Sequence, residues 1–264
     1  MTTLLSFSKI KSDNEYRLTL TPNSTKGRDT LKKYTTILFD ADDTLLDFNK
    51  DETQALLKTL QSHGVPTTDE NIRAYKEINI GLWKALERGE IDKPTLKKVR
   101  FSLFFQKIGF ETTQDTFAIN EEYLSNLGDG GNLLPGAKEL IDHLKAKGYD
   151  LYIVTNGIEH TQKRRLIKAG ILPCFSEIFV SETVGYQKPR KEYFDYVLGH
   201  IKEKDIGRVL LIGDSLTSDI KGATDAGIDC IWLRHNSATD YSGYKPDYII
   251  SDIKEAEDMI SSFE

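Results

Sequence analysis

Four short polar clusters hold the residue types that could do chemistry: Asp40-Ala41-Asp42-Asp43-Thr44, Thr155-Asn156-Gly157, Gln187-Lys188-Pro189, and Gly213-Asp214-Ser215 with Asp219 four residues on. Together they offer carboxylates, a hydroxyl, an amide and an ammonium. That set suits oxygen ligation of a hard cation and donation to a dianionic group. Mg²⁺ fits it, because Mg²⁺ takes a few carboxylates plus water and phosphate oxygens; Mn²⁺ or Co²⁺ are the expected substitutes in vitro. A carboxylate beside such a cation can attack phosphorus, giving an aspartyl-phosphate that water later removes. A second carboxylate two residues on can supply the proton that the departing oxygen needs. Phosphoryl transfer needs charge neutralisation more than covalent help, so Thr155, Lys188 and backbone N–H groups of the first loop are the expected phosphoryl binders.

Each cluster follows or adjoins a short apolar run: Thr35 to Phe39, Leu151 to Val154, Ile178 to Val180, and Val209 to Ile212, with a fifth run from Ile228 to Trp232. Such continuous, β-branched-rich runs read as strands buried on both faces. Between them lie helical stretches, Ala137 to Lys147 and Glu159 to Ala169, each followed by a glycine, Gly148 and Gly170, where a helix stops in the left-handed conformation. Strand and helix alternate, which predicts an α/β fold with a doubly wound parallel sheet. All four clusters then converge beyond the carboxyl ends of the strands, where open parallel sheets bind ligands.

The alternation is interrupted between 49 and 131, where the periodicity is helical throughout. Leu56, Leu57 and Leu60 form one stripe, Ile78, Leu82, Trp83 and Leu86 a second, Val99, Leu103 and Phe104 a third, and Thr67 with Glu70 has the form of a capping box. Four helices inserted after the first strand are expected. The resulting division is an extension over 1–33, an α/β core from 34–48 and 132–264, and a helical unit over 49–131.

The 264 residues suffice for one large domain or two smaller ones. Two cysteines, Cys174 and Cys230, exclude a disulfide scaffold or thiolate zinc site and point to a reducing cytoplasm. With no apolar run near the ~20 residues that cross a bilayer and no secretory-signal core at the N-terminus, a soluble protein with no membrane partner is expected. The formal charge of −6 argues against a nucleic-acid polymer as partner, though not against a small phosphorylated substrate. Residues 1–33 carry seven Lys/Arg against three Asp/Glu, a net +4 that leaves −10 for the rest. That break marks an extension expected to be poorly anchored, with a short strand near Leu18 and Leu20.

In Asp-x-Asp-x-Thr at 40–44, the strand-end Thr155, Lys188-Pro189 and Gly-Asp-x-x-x-x-Asp at 213–219, the chain resembles the phosphatase branch of the haloacid dehalogenase superfamily over about residues 34–252. The resemblance implies a Rossmann-like core with an inserted helical cap and Mg²⁺-dependent phosphomonoester hydrolysis. It also implies a role for each matching residue. Asp40 is the implied nucleophile and metal ligand, Asp42 the general acid/base that also gives its backbone carbonyl to the metal, and Asp214 the remaining protein ligand. Thr155 and Lys188 are the implied phosphate binders, Lys188 also restraining the nucleophile's charge, and Asp219 orients the metal site. The acid at 42 argues for phosphate chemistry over dehalogenation, and Thr44 for a phosphatase over a mutase. Finer features, Asp40 to Asp47, Thr155 to Ile158 with Gln162, and Gly213 to Ile220 with Ala226-Gly227 and Trp232, look like the pyrimidine 5′-nucleotidase subfamily. The expected substrate is accordingly a nucleoside monophosphate. Alternatives are a sugar-phosphate or phosphoglycolate phosphatase of the same fold, or a non-catalytic phosphate- or partner-binding module.

Blander roles compete at several positions. Asp43 and Asp47 suit turn or cap hydrogen bonds. Asn156 either donates to substrate phosphate or shapes its turn, and Asp219 is either an N-cap for a helix from Ile220 or a support for the metal site. The five histidines, His63, His143, His160, His200 and His235, lack ligand spacing and read as surface or packing residues. Tyr75, Trp83, Phe101, Phe104 and Phe105 could stack on a base, although aromatic stripes at helical spacing are more often core. Tyr186 is a further possible substrate contact, and Arg100 and Lys84 are read as solvated.

Overall fold

The computed structural model describes residues 5–6, 21–22 and 33–263. Leu5–Ser6 (β1) pairs antiparallel with Thr21–Pro22 (β2); the strand expected near Leu18 and Leu20 lies outside the described residues. The remaining strands are β3 (Thr36–Phe39), β4 (Asp150–Thr155), β5 (Glu177–Val180), β6 (Val209–Gly213), β7 (Asp229–Leu233) and β8 (Tyr248–Ile250). They form one parallel sheet in the order β5-β4-β3-β6-β7-β8. The chain therefore runs outward from β3 on one side and then returns to build the other. This reversal at β3 and β6 is the switch point at which such sheets open a crevice.

Alternate residues along each strand feed different cores, as a sheet covered on both faces requires. Ile37, Phe39, Leu151, Ile153, Leu210 and Ile212 pack with buried residues of α5 (Ala137–Ala146), α6 (Glu159–Lys168) and α10 (Glu255–Ser261). Leu38, Tyr152, Val154, Leu211 and Cys230 pack on the other face with residues of α8 (Lys191–His200) and α9 (Lys221–Ala226). Both glycine stops hold: Gly148 and Gly170 have φ of 77° and 69°. β8 is the one strand of this sheet absent from the sequence reading. Its three residues follow the polar stretch 234–247 and supply too short a run to stand out.

Between β3 and β4 lie the four expected helices, α1 (Phe48–Ser62), α2 (Asp69–Glu87), α3 (Lys93–Ile108) and α4 (Thr116–Gly128). They enclose a core of their own around Leu56, Leu60, Tyr75, Phe101, Phe104 and Tyr123. The helices differ from the sequence reading in two details. The N-cap of α2 is Thr68, whose hydroxyl accepts from Asn71 N at 3.2 Å, in place of the Thr67–Glu70 box. The buried face of α3 is turned from the expected stripe, so that Leu103 is 40% exposed and Arg100 only 1%. Among the described residues, no helix is long and apolar enough to cross a membrane.

Candidate active site

Where β3 ends, Asp40 N still donates to Ile212 O at 2.9 Å, which holds the first catalytic candidate in register with the neighbouring strand. The chain then turns sharply. Asp43 adopts φ 53°, its carboxylate accepts from Phe48 N at 3.1 Å, and Asp47 caps α1 by accepting from Lys50 N at 2.9 Å. Both therefore make the local bonds expected of turn and cap residues.

Lys188 enters this edge from the loop after α7 (Ser181–Val184) and is 1% exposed. Its Nζ donates to Asp40 Oδ1 at 2.6 Å, to Asp219 Oδ1 at 2.6 Å and to Val154 O at 2.8 Å, so three donors meet three acceptors. Asn156 braces the loop in both directions, its Nδ2 donating to Lys188 O at 2.9 Å and its Oδ1 accepting from Lys188 N at 2.8 Å. Those bonds are the turn-shaping ones of its two readings. Asp219 is not an N-cap: it lies inside a π-helical turn (Leu216–Ile220) capped by Ser215, and its other oxygen accepts from Ser215 N at 3.1 Å. The absent side chain of Gly213 makes room for it, since a Cβ there would stand 2.5 Å from the Asp219 carboxyl carbon.

Asp40, Asp214 and Asp219 can each place a carboxylate oxygen within 4.8 Å of the others. Burial raises the Asp40 carboxyl, Lys188 pulls it down, and repulsion from Asp219 and Asp42 adds to the rise, leaving it at about 8. Asp214 is pushed well above the usual carboxylate range by burial and by repulsion from Asp40 and Asp219. Burial opposes the charge on Lys188, but Asp219 and Asp40 outweigh it and hold the ammonium above the ordinary lysine value. One ammonium thus faces three crowded carboxylates. An oxygen-only donor set with excess negative charge fits a small divalent cation.

Asp42 is held by two residues of α6. Arg165 Nη1 donates to Asp42 Oδ1, and Gln162 Nε2 donates to Asp42 Oδ2 at 2.7 Å. The same Gln162 amide reaches Thr155 Oγ1 at 3.1 Å, and Gly157 N reaches it at 3.0 Å. With its oxygen accepting twice, the Thr155 hydroxyl has its proton left to donate. Arg165 continues to Asp51 on α1, Nη2 to Oδ2 at 2.9 Å, and Asp51 also accepts from Gly131 N at 2.9 Å where the chain returns to the core. Sequence reasoning noted Gln162 as a family feature and missed Arg165. Its available signal was the i, i+3 spacing of Gln162 and Arg165, which puts both on one face of α6.

The helical unit meets this edge directly. Lys93, at the start of α3, donates to Gly157 O at 2.7 Å and Ser181 Oγ at 2.6 Å, and Thr217 Oγ1 donates to Glu87 Oε2 at 2.9 Å. Of the five aromatics weighed as base contacts, Tyr75, Phe101, Phe104 and Phe105 are core. Trp83 lines the cleft between the helices and the candidate site, together with Asp43, Ser215 and Thr217. Tyr186 is exposed beneath Arg190, Lys84 is exposed, and Arg100, read as solvated, is buried.

The haloacid dehalogenase-like hydrolase profile matches residues 34–227, a stretch that contains the whole carboxylate–lysine edge. The chain belongs to this family. Within the haloacid dehalogenase-like hydrolases it is similar to the hydrolase YfnB of Bacillus subtilis, at 41% identity over 225 residues, covering 85% of this chain and 94% of YfnB. A crystal structure of YfnB bound to magnesium superposes with a TM-score of 0.81, covering 87% of this chain and 99% of that one. The pyrimidine 5′-nucleotidase PynA of Streptococcus pneumoniae is 38% identical over 219 residues, 81% of this chain and 90% of PynA. The pyrimidine 5′-nucleotidase YjjG of Escherichia coli is 31% identical over 228 residues, 86% of this chain and 98% of YjjG.

Proposed function

We propose that this haloacid dehalogenase-like hydrolase is a Mg²⁺-dependent phosphomonoesterase that works through Asp40, with pyrimidine nucleoside 5′-monophosphates as substrates. The observation that carries the chemistry is the pairing of Lys188 Nζ with Asp40 Oδ1 at 2.6 Å, in a cluster shared with Asp214 and Asp219 and two residues from Asp42. The similarity to PynA and YjjG supports the choice of substrate.

Asp40, Asp214 and the Asp42 backbone carbonyl would hold Mg²⁺, which supplies charge neutralisation for the phosphoryl oxygens and the nucleophile. Lys188 pulls the Asp40 carboxyl down against the effect of burial and aims it, leaving Oδ2 free to attack phosphorus. Thr155 donates its hydroxyl proton to a phosphoryl oxygen. Asp42, oriented by Arg165 and Gln162, hands a proton to the leaving O5′ and then takes one from the water that cleaves the aspartyl-phosphate. Asp219 spends both oxygens on Lys188 and Ser215 and so fixes the lysine. Asn156 holds the Lys188 loop.

The test is phosphate release from nucleoside monophosphates, sugar phosphates and phosphoglycolate, with Mg²⁺ and with excess chelator, for wild type and Asp40→Asn. Metal-dependent release concentrated on pyrimidine nucleotides, lost by on the order of 10⁴-fold or more in Asp40→Asn at unchanged secondary structure, is expected. Release concentrated on a sugar phosphate would keep the chemistry and replace the substrate. Undiminished turnover by Asp40→Asn would overturn the nucleophile, and no release from any ester would return the chain to a binding role.

A further inference from the structure

Arg100 lies inside the helical unit at 1% exposure. Its guanidinium carbon stands 5.3 Å from the centre of the Tyr123 ring. Among the described residues it makes no ion pair, and its Nε and Nη2 have no hydrogen-bond partner, so its charge is offset only at longer range by the Glu52 carboxylate and by the Tyr75 hydroxyl beside it. A buried cation left this way is costly, and an apolar side chain of similar length would stabilise the fold better. Asn79 on α2 is in the same condition. At 2% exposure it donates Nδ2 to Glu52 Oε1 at 2.7 Å, and its Oδ1 has no partner. The Glu52 carboxylate, an acceptor, fixes which way the amide faces.

Both residues line one small cavity of about 20 Å³ that Asp42 and Gln162 close from the core side. Phe48, Asn79 and Trp83 line this cavity and also the adjoining cleft of about 540 Å³, which reaches Asp43, Ser215 and Thr217. The cavity has room for little more than one water-sized group. A planar ring entering from the cleft would lie against Phe48 and Trp83 and put only its polar edge inside. That edge meets a donor from Arg100 beside an acceptor from Asn79, while Glu52 behind Asn79 disfavours an anion.

We propose that Arg100 and Asn79 are specificity-determining residues that read the edge of a nucleobase, Arg100 donating to a ring carbonyl oxygen and Asn79 Oδ1 accepting from the adjacent ring N–H. The matching chemistry is the CO–NH–CO edge of uracil or thymine. In cytosine the ring nitrogen at that position is an acceptor and meets the Asn79 oxygen lone pair to lone pair. The assignment rests on the nucleotidase reading above and goes beyond it by naming the residues that choose the base.

The test compares thymidine 5′-monophosphate, its N3-methyl derivative and 2-deoxyribose 5-phosphate, which carries no base, on wild type and Arg100→Met. Wild type is expected to favour the nucleotide over the base-free sugar phosphate by on the order of 10²-fold in kcat/KM, and to lose most of that preference on N3-methylation. In Arg100→Met the ratio should fall towards one while the melting temperature without ligand stays level or rises, because an unpaired buried charge is gone. A variant that keeps the ratio, or a melting temperature lowered by several degrees, overturns the role of Arg100. Full acceptance of the N3-methyl nucleotide by wild type overturns that of Asn79. In each of those cases the nucleotidase reading survives, whereas a wild type with no preference for the nucleotide over the sugar phosphate overturns both.

Discussion

Arg165 in the core and Arg100 in the cap-like helical unit are each at most 1% exposed, yet their surroundings are opposite. Arg165 spans Asp42, Gln162 and Asp51, so its charge is balanced by protein on both sides. Arg100 lies over the Tyr123 ring and makes no ion pair among the described residues, with Glu52 acting on its charge only at longer range. The side chains of the candidate active site are therefore held by protein partners, Lys188 and Arg165 fixing Asp40, Asp219 and Asp42 in place. The pocket in the helices is incomplete. Pre-paid order at the reacting atoms raises the rate, whereas unmet hydrogen bonds in a pocket reject the ligand that fails to meet them.

The largest effect expected from this difference comes from truncating the paired arginine. Arg165→Met strands Asp42 and Asp51 and should destabilise by about 3 kcal/mol or more, which for a body of this size is a fall in melting temperature of roughly 10 °C. Turnover should drop on the order of 10²-fold as Asp42 loses its orientation. A thermal scan beside Arg100→Met decides the matter: equal losses in the two variants would erase the distinction between the regions.

Lys93 sits between the two cases, since it belongs to α3 but spends its donors on Gly157 and Ser181 of the core. Burial pulls its ammonium down to about 8 from the ordinary 10.5, with Glu182 opposing. The folded protein sheds this proton before the unfolded chain does, so stability gains from about pH 8 to about pH 10.5. Lys93→Met removes that gain. The difference in melting temperature, wild type minus variant, should therefore grow across this window, and a difference constant in pH would show the ammonium to be solvated.

The smallest effect belongs to a bond open to water. Asp47→Ala removes the α1 cap at the mouth of the first loop and should cost about 1 kcal/mol in urea unfolding, with turnover within about twofold of wild type. A larger loss of activity would mean that the cap also sets the position of Asp42.

Most of the candidate site was legible because its aspartates and Thr155 stand at strand ends whose apolar runs announce them, while Lys188 arrives from the loop after α7. Asp40, Thr155 and Asp214 stand immediately beyond β3, at the end of β4 and beyond β6, and a parallel sheet must bring those ends together. Asp219 was harder: its spacing from Asp214 favours support of the metal site over an N-cap, and the room left by Gly213 is what the structure adds. Arg100 and Leu103 exchange their expected places on α3, because polarity alone does not set which way a helical residue faces. A helix surface turns by 100° per residue, and a charge lands inside when its neighbours Leu96, Phe101 and Phe104 claim the buried face.

By itself the sequence determined the parallel sheet, the inserted helices and the residues that gather at the strand ends, because apolar period and strand-end position are local properties of the chain. Only the tertiary structure decided that Arg165 holds Asp42, that Asn156 braces Lys188, and that Arg100 and Asn79 line one cavity with Arg100 Nε and Nη2 and Asn79 Oδ1 left without a partner. Those relations join helices far apart in sequence. Whether a buried polar atom has a partner depends on packing between elements, which no pattern within one element records.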